Sequence, residues 1–189
     1  VEMMENVSKY RYANVPNLDA QVVEIPYADG RLSMVMMLPN REGLHSLQTL
    51  FRDLSYSPLA STLASLRETE LLLQIPKFSI ESKLNLRPTL EALGIKDIFG
   101  FDANLSGILA GKSAQIGSVL HDAKIEVNEQ GTVAAAVTGI SVIPLMGSTM
   151  DTFRADRPFL FAIVDQSTGS MIFAGRVVQP TWAAPSPLG

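Results

Sequence analysis

The sequence predicts an α+β protein, on three observations. Short apolar runs typical of β-strands occur in pairs joined by turn residues, at 21–38 and at 159–178. Stretches with the periodicity or the end signals of helices occur at 41–66 and 88–94. The composition, 47% hydrophobic and 18% charged over 189 residues, is sufficient for a folded core of ordinary domain size.

The first predicted strand pair is a hairpin. Gln21–Tyr27 and Arg31–Leu38 have the composition of strands, and Asp29-Gly30 between them is a dipeptide typical of hairpin turns. The second run is apolar on both faces near its end, which predicts a central strand. The preceding residues, 1–17, are polar and give no definite indication of secondary structure.

Two helices are predicted after this hairpin. Residues 41–54 place five apolar side chains on one side at helical spacing. These are Leu44, Leu47, Leu50, Phe51 and Leu54. Ser57 is expected to be the N-cap of the second helix, with Pro58 as its first helical residue and an end near Leu66.

The middle of the chain predicts a strand, a short helix and a loop. Residues 70–82 form an apolar strand pattern that Pro76 interrupts. Pro88 suits the first turn of a short helix, and Gly94 suits its left-handed C-terminal cap. The loop that follows is expected to be anchored by three apolar side chains. They are Ile98, Phe99 and Phe101.

The last part of the chain predicts further strands. Ile125 and Val127 alternate with polar residues, which indicates a half-buried strand. Phe153–Phe159 is expected to form an edge strand. Phe159–Val164 and Met171–Val178 predict a closing hairpin, and their nearly all-apolar composition indicates burial on both faces.

A segment without charged side chains separates these strands, at 131–150. Its length suits a membrane helix, but Gly, Ser, Thr and Pro interrupt it, so a spanning helix is disfavoured. Weak helix formers also disfavour a buried helix. The residues suit a loop that can also form a strand better than a helix, but composition alone favours a plain core strand followed by a loop. One face of such a strand is small and uncharged: Thr132, Ala134, Ala136, Thr138, Ile140 and Val142.

The residue inventory gives no support for an enzyme. The chain has no cysteine and two histidines, which excludes disulfides and thiol catalysis and leaves few acid–base sets. It contains no phosphate-binding loop, zinc-ligand spacing or nucleophile elbow. We therefore expect no metal site and no cofactor. The net charge of −4 argues against a nucleic-acid partner.

Several motifs together resemble one protein family. Glu129–Thr138 is similar to the proximal hinge of the reactive-centre loop of serpins, a family of protease inhibitors. Phe153–Phe161 is similar to the serpin C-terminal signature, including Phe153, Asp156, Pro158 and Phe159. Three further segments resemble the family in the same order along the chain. They are Leu71–Phe78, then Leu93–Phe99 together with Asp102–Gly107, and Met171–Pro180, the last with Gln179 in place of the usual Asn.

The resemblance implies a serpin fold of which this chain is only the C-terminal half, 1–189. The other half is then expected on a second polypeptide, as after a nick. Residues 130–152 correspond to the reactive-centre loop, and 181–189 are expected to be a disordered tail. The hinge residues implied by the resemblance are Glu129, Gly131, Thr132, Val133, Ala134, Ala135, Ala136 and Thr138.

The resemblance also implies a mechanism and a target. Serpins act as suicide substrates: a protease cleaves the loop, and the loop then inserts into a sheet and traps the acyl-enzyme. The family's usual spacing from Glu129 puts the cleaved bond at Leu145–Met146. Leu145 implies a chymotrypsin- or elastase-like protease. Cleavage after Met146 would instead suit a papain-like cysteine protease. A non-inhibitory relative, acting as carrier, chaperone or storage protein, is the alternative function.

The sequence also bears on whether the protein is secreted. Asn6-Val-Ser8 and Asn104-Leu-Ser106 match the N-glycosylation pattern, so Asn6 and Asn104 are candidate acceptors in a secreted protein. Family resemblance favours an extracellular protein, although serpins also occur inside cells. No signal peptide or membrane-spanning segment is visible, and no membrane partner is expected.

Overall fold

The computed structural model describes residues 2–54, 56–109, 114–129 and 150–181. Within these residues strands and helices are mixed along the chain, which confirms the α+β prediction. The elements are β1 Met3–Val15, β2 Ala20–Pro26, β3 Leu32–Pro39, α1 Leu44–Asp53, α2 Tyr56–Ser65, β4 Arg67–Pro76, β5 Phe78–Asn85, α3 Arg87–Ala92, β6 Leu120–Val127, β7 Asp151–Arg154, β8 Phe159–Asp165 and β9 Met171–Val177.

The strands form two sheets. Seven strands lie in the order β7-β4-β1-β2-β3-β8-β9, and β5 pairs with β6 in a two-stranded sheet. The chain divides into two compact units, one comprising Val1–Ser79 with Glu126–Gly189 and the other Ile80–Ile125. In the seven-stranded sheet, neighbouring strands are antiparallel except for β4 and β7, which are parallel.

Strand β1 occupies the polar region that gave no definite prediction. It pairs with β4 from Met3 to Tyr12 and with β2 from Arg11 to Val15. Only Met4 and Tyr10 of its side chains are buried, so the apolar alternation that identifies a strand is absent. Backbone pairing with two neighbouring strands, and not its own composition, therefore makes this segment a strand.

The predicted hairpin of β2 and β3 is confirmed. Asp29 Oδ1 accepts hydrogen bonds from the backbone N–H groups of Arg31, at 3.1 Å, and Leu32, at 3.3 Å. Gly30 has φ +66°, a left-handed conformation that side chains other than glycine rarely adopt. Strand β3 lies between β2 and β8, so the prediction of a central strand is also confirmed.

Helix α1 packs against one face of β2, β3 and β8. The buried cluster contains Ala20, Val22, Val35, Met37, Leu47, Leu50, Leu66, Leu160, Ala162 and Val164. The helix begins at Leu44, later than predicted, because Gly43 has φ +98°, which is incompatible with a helix. Leu44 and Phe51, predicted on the buried stripe, are exposed. Only Leu47 and Leu50 of the predicted stripe are fully buried.

An ion pair between a buried carboxylate and a half-exposed arginine connects the sheet with α2. Glu24 is only 5% exposed, although it lies on a strand in the middle of the sheet. Arg11, its direct neighbour across β1 and β2, donates from Nη1 to Glu24 Oε2. Nη2 of Arg11 donates to the carbonyl of Leu63 at 2.7 Å. A charged carboxylate is thus tolerated in the sheet because a guanidinium pairs with it.

The start of the second helix differs from the prediction. Helix α2 begins at Tyr56, so Ser57 lies inside the helix and is not its N-cap, and Pro58 is not its first residue. The helix ends at Ser65, one residue before the expected end. The helix itself is therefore confirmed, but its predicted first residue lies two positions after the observed one. Boundary differences of this size are common at helix ends.

The element boundaries that proline and glycine indicate in the middle of the chain were predicted correctly. The apolar run around Pro76 is divided into β4 and β5, with Lys77 between them. Pro88 lies in the first turn of α3, and Gly94 has φ +95° just after its end. Of the expected loop anchors, Phe99 is buried beneath the guanidinium of Arg87. Phe101 is 97% exposed, so that part of the prediction is wrong.

The predicted closing hairpin of β8 and β9 is confirmed, but its burial is not. Strand β8 is almost fully buried, whereas Met171, Ile172 and Phe173 of β9 are exposed. The reason is position, because β9 is the last strand in the described sheet order. The edge strand expected at Phe153–Phe159 is present as β7, but it ends at Arg154.

Asp165 closes this hairpin with a dense set of hydrogen bonds. Its side chain is 5% exposed and accepts from Ser167 Oγ at 2.5 Å and from the Ser167 N–H at 2.9 Å. Arg31 donates to it through Nε at 3.0 Å and Nη2 at 2.8 Å. The Ser167 hydroxyl, followed by the Arg31 guanidinium, holds the pKa of Asp165 well below its usual range.

We predict that Asp165→Asn lowers the melting temperature by several degrees at pH 7. A carboxyl group whose pKa is depressed in the folded state stabilises the protein above its unfolded pKa, about 3.9, and this contribution fades as the pH falls below that value. The difference between wild type and variant, measured by thermal melts, should therefore shrink as the carboxyl group is protonated, between roughly pH 5 and pH 2. Asp102→Asn, at an exposed position, serves as the control. A constant difference across this range would contradict the assignment.

Candidate functional site

The predicted site is described at its two ends. Glu129 and the signature residues lie within the described residues. The remaining hinge residues and the predicted cleavage site lie outside the described residues. They are Gly131, Thr132, Val133, Ala134, Ala135, Ala136, Thr138, Leu145 and Met146. The structure therefore describes the residues that anchor the segment 130–149 on either side.

The N-terminal anchor follows strand β6. Val127, the last residue of β6, is 1% exposed. Two residues later, the Glu129 carboxylate lies 2.7 Å from Nζ of Lys77, which is in the link between β4 and β5. Nζ of Lys77 also lies 2.9 Å from a carboxylate oxygen of Glu2. One ammonium group is thus shared between two carboxylates.

The charges at this anchor stabilise each other. The hydrogen bond from Lys77 lowers the pKa of Glu129, and a hydrogen bond from the Glu129 backbone acts in the same direction. In return, the bond to Glu129 and the bond to Glu2 raise the pKa of Lys77. Both partners are therefore charged at neutral pH. The Lys77 side chain is partly shielded, at 16% exposed, while both carboxylates remain in contact with solvent.

Lys77 is held in place by the residues beside it. Its backbone N–H donates to the carbonyl of Glu2 at 2.9 Å. The next residue, Phe78, is fully buried, with its ring centroid 5.9 Å from that of Phe159 and 5.9 Å from that of Phe161. The position of the ammonium group therefore depends on an aromatic cluster in the core.

The C-terminal anchor is strand β7. Phe153 is fully buried and lies opposite Leu73 in the parallel pairing with β4. The pairing is extended by the N–H of Ala155, which donates to the carbonyl of Gln74 at 2.9 Å. This end of the segment is thus fixed by a buried ring and a backbone ladder.

The signature residues surround the turn from β7 to β8. Phe153 and Phe159 are buried, Pro158 is partly buried, and Asp156 is exposed. Asp156 pairs with Arg154 at 3.1 Å and with Arg157 at 3.0 Å. Arg157 Nε in turn donates to the carbonyl of Pro39 at 2.8 Å, which ties the turn to the end of β3. These contacts are structural and contain no reactive constellation.

Sequence reasoning missed the Lys77 contacts. The sequence analysis gives Lys77 no role, because nothing local indicates a partner at Glu129 or Glu2. The contact depends on the path of the folded chain. A lysine between two strands was the sole signal available, and it is not specific.

The two candidate glycosylation sites differ in their surroundings. Asn6 lies on β1, is partly buried, and donates from Nδ2 to the Tyr10 hydroxyl at 2.7 Å. Asn104 lies in an exposed loop, where its Oδ1 accepts from the Ser106 hydroxyl at 2.7 Å and from the Ser106 N–H at 3.2 Å. The Nδ2 group of Asn6 is therefore engaged within the sheet, whereas Asn104 lies at the surface.

Two features are absent from the part of the chain that the structure describes. None of its helices is long and apolar enough to cross a membrane. It contains no group of three or more His, Cys, Asp or Glu side chains arranged to hold a metal ion.

Comparison with known proteins identifies the family. The family profile described as Serpin (serine protease inhibitor) matches residues 1–180. Human Serpin B3 is 37% identical over 185 residues, which cover 95% of this chain and 46% of that protein. Chicken ovalbumin is 34% identical over the same number of residues, covering 95% and 46%. The chain thus spans about half the length of the curated relatives that it matches.

Solved structures give the same result. Uncleaved ovalbumin superimposes with a TM-score of 0.80 at 32% identity, covering 95% of this chain and 44% of that one. Thyroxine-binding globulin in complex with thyroxine gives a TM-score of 0.79 at 27% identity, covering 95% and 46%. The serpin fold that the resemblance implied is therefore confirmed, and the chain belongs to the serpin family.

Proposed function

We propose that this chain is the C-terminal half of an inhibitory serpin that traps a protease as a suicide substrate. The observation that carries the proposal is the anchoring of an uncharged segment at both ends. Glu129 is paired with Lys77 before it, and Phe153 is buried after it. Between them, residues 131–150 have no charged side chain. Such a segment can serve as bait and can later be buried.

The sheet geometry supports the insertion step. In the described sheet order, β6 is hydrogen-bonded to one strand, β5, so its other edge is open to a further strand. The segment leaves directly from the end of β6. A chain that turns back at this point would run antiparallel to β6 and could form a ladder along that edge. Cleavage would free the segment to do so.

Side-chain size decides whether insertion can outrun hydrolysis of the acyl-enzyme. The inserted strand must bury one face, and the alternation predicts Thr132, Ala134 and Ala136 at the start of that face. These side chains are small and carry no charge, so their burial leaves no unpaired ion. The composition therefore favours an inhibitor over the non-inhibitory alternative.

The proposed cleavage site is Leu145–Met146. A leucine in the primary pocket favours a chymotrypsin- or elastase-like target, and no Arg or Lys lies in 130–152 to suit a trypsin-like protease. Cleavage after Met146 would place Leu145 in the second pocket and favour a papain-like target. The competing proposal is a non-inhibitory role, and it is supported by the similarity of the chain to ovalbumin and thyroxine-binding globulin. The chain itself is proposed to act without catalysis, metal or cofactor.

The proposed partner within the domain is the polypeptide that corresponds to the unmatched half of the relatives. Met171, Ile172 and Phe173 of β9 are at least 42% exposed. Beside them lies an apolar groove of about 680 Å³ between α1 and the strands β8 and β9, lined partly by Met37 and Phe161. Exposed apolar side chains beside an apolar groove are typical of an interaction site. A missing half of similar length is the occupant that accounts for it.

Covalent trapping is tested first. The intact protein is incubated separately with chymotrypsin, elastase, trypsin and a papain-like protease, and the products are separated on a denaturing gel. We expect an SDS-resistant band at the summed mass with chymotrypsin or elastase. Mass spectrometry should find a released peptide that begins at Met146. If the loop is cleaved but none of the four proteases forms an adduct, the non-inhibitory proposal is favoured.

The hinge is tested with a pair of arginine substitutions. Thr132→Arg places a charge on the face proposed to be buried, and burial of an unpaired charge costs several kcal/mol, so adduct yield should fall by more than about tenfold. The same variant should be cleaved as a substrate. Val133→Arg, on the opposite face of the same strand, is the control and should keep most of its yield. Equal yields from the two variants would show that the proposed face is wrong.

Secretion and glycosylation are proposed together. We expect the natural protein to be extracellular and to carry an N-linked glycan at Asn104, which lies in an exposed loop. Asn104→Gln should then remove a mass that an N-glycosidase also removes, as measured by gel mobility and mass spectrometry. Asn6→Gln is the comparison, since Asn6 is partly buried on β1. A natural protein whose mobility the glycosidase leaves unchanged would argue for an intracellular location.

A further inference from the structure

A glycine on the last strand lies directly beneath a buried phenylalanine. Gly175 of β9 is paired with Phe161 of β8. A Cβ atom at position 175 would lie 2.6 Å from Cζ and 2.7 Å from Cε1 of the Phe161 ring. Real Cβ atoms do not approach ring carbons so closely, so the ring can occupy this position only over a glycine. A glycine inside a strand is otherwise unfavourable, and close approach by another group is a common reason for one.

The Phe161 ring in turn contacts Phe78. Their centroids are 5.9 Å apart with the planes inclined at 49°, and Phe78 also packs edge-on against Phe159. Phe78 is fully buried, and Phe161 is almost so. Tilted and edge-on pairs are the favourable arrangements of aromatic rings. Any displacement of Phe161 away from β9 must therefore be accommodated by Phe78.

Phe78, the first residue of β5, follows Lys77 in the chain, and the short link 77–79 around it is held on each side. The Lys77 N–H donates to the Glu2 carbonyl at 2.9 Å, and the Ser79 N–H donates to the Thr181 carbonyl at 2.8 Å. The ring of Phe78 is the third attachment of this link, and it lies between the other two. From this link Nζ of Lys77 reaches the Glu129 carboxylate at 2.7 Å.

We propose that Gly175 is a positioning residue for the base of the reactive-centre loop, acting through Phe161, Phe78 and Lys77 on Glu129. The missing side chain lets Phe161 lie close to β9, Phe78 packs against it, and Lys77 is thereby held within bonding distance of Glu129. A larger residue at 175 would displace the rings and release Glu129. This inference deepens the proposed function and rests on it where it concerns inhibition.

The consequence concerns the timing of insertion. If the base of the loop at Glu129 stays fixed until cleavage, the loop stays uninserted and accessible to a protease. A loop base that is released early should favour insertion before any protease is bound, and also pairing with other molecules. Gly175 would therefore contribute to the yield of trapped protease, although it lies on β9 and touches no part of the loop that the structure describes.

The test measures hydrogen–deuterium exchange in the intact protein. Gly175→Ala should speed exchange of peptides covering 124–131 by about tenfold, the range expected when contacting residues are uncoupled. Peptides from β2 and β3 should exchange as in wild type, since a local release does not open the sheet. Gly107→Ala is the matched control, because a Cβ there meets no atom within 4 Å and its φ is not in the left-handed region.

A double-variant comparison separates positioning from general destabilisation. Lys77→Gln removes the ammonium group that holds Glu129 and should speed the same exchange. If Gly175 acts through Lys77, Gly175→Ala should add little further effect in the Lys77→Gln background. Fully additive effects, or acceleration of equal size throughout the sheet, would overturn the proposal. So would unchanged exchange at 124–131 in folded Gly175→Ala.

A second variant covers the case in which Gly175→Ala does not fold. Phe161→Leu removes the ring carbons that Gly175 accommodates and removes the contact with the Phe78 ring, so it should also speed exchange at 124–131. Wild-type exchange in Phe161→Leu would overturn the proposal. The exchange readout requires no protease. If exchange shows the coupling between Gly175 and Lys77 but no protease forms a covalent adduct, the inhibitory function is refuted and the positioning role stands. If an adduct forms but exchange shows no coupling, the positioning role is refuted and the inhibitory function stands.

Discussion

The packing of Phe78 between Phe159 and Phe161 is the contact on which the described site depends most. It fixes the short link 77–79, in which Lys77 lies between β4 and β5 and the other two residues begin β5. Four distant parts of the chain meet at this link: Glu2 at the start, Glu129 after β6, the two rings of β8, and Thr181 near the end. Because exposed ion pairs alone contribute little to stability, the buried ring is what makes the position of Lys77 definite.

Local signals predicted the elements that local chemistry determines. Asp29-Gly30 specified a hairpin turn because the Asp side chain caps the following N–H groups and glycine accepts a positive φ. Pro76 and Gly94 marked boundaries for equally local reasons. Strand β1 escaped prediction because its ladder partners, β2 and β4, and not its own residues, determine its conformation. The exposure of β9 was also unpredictable, since an apolar run does not reveal whether a partner covers it.

The site divides in the same way. The hinge and the cleavage site are predictions from resemblance, based on a pattern of small residues that indicates nothing without a family context. The contact between Lys77 and Glu129 joins residues far apart in sequence, and no spacing rule connects them. The same holds for Gly175, whose significance depends on a ring on the neighbouring strand. Sequence reasoning predicted a segment that is proposed to move, and it missed the contacts of Gly175 and, near the start of the segment, those of Lys77.

The two ends of the segment are restrained by different kinds of force. Glu129 is held by an ion pair whose carboxylate is more than half exposed, so water can replace the ammonium group at small cost. Phe153 is fully buried, and its removal from the core would forfeit about 1.5–3 kcal/mol of hydrophobic burial as well as the ladder with β4. The weaker restraint is therefore on the side next to β6. A segment that must leave its resting place after cleavage, and lie along an edge of β6, has to start from that side. The asymmetry of the anchors thus agrees with the direction of movement that the proposed mechanism requires, and under that mechanism Lys77 and the rings packed behind it are the proposed restraint on the movement.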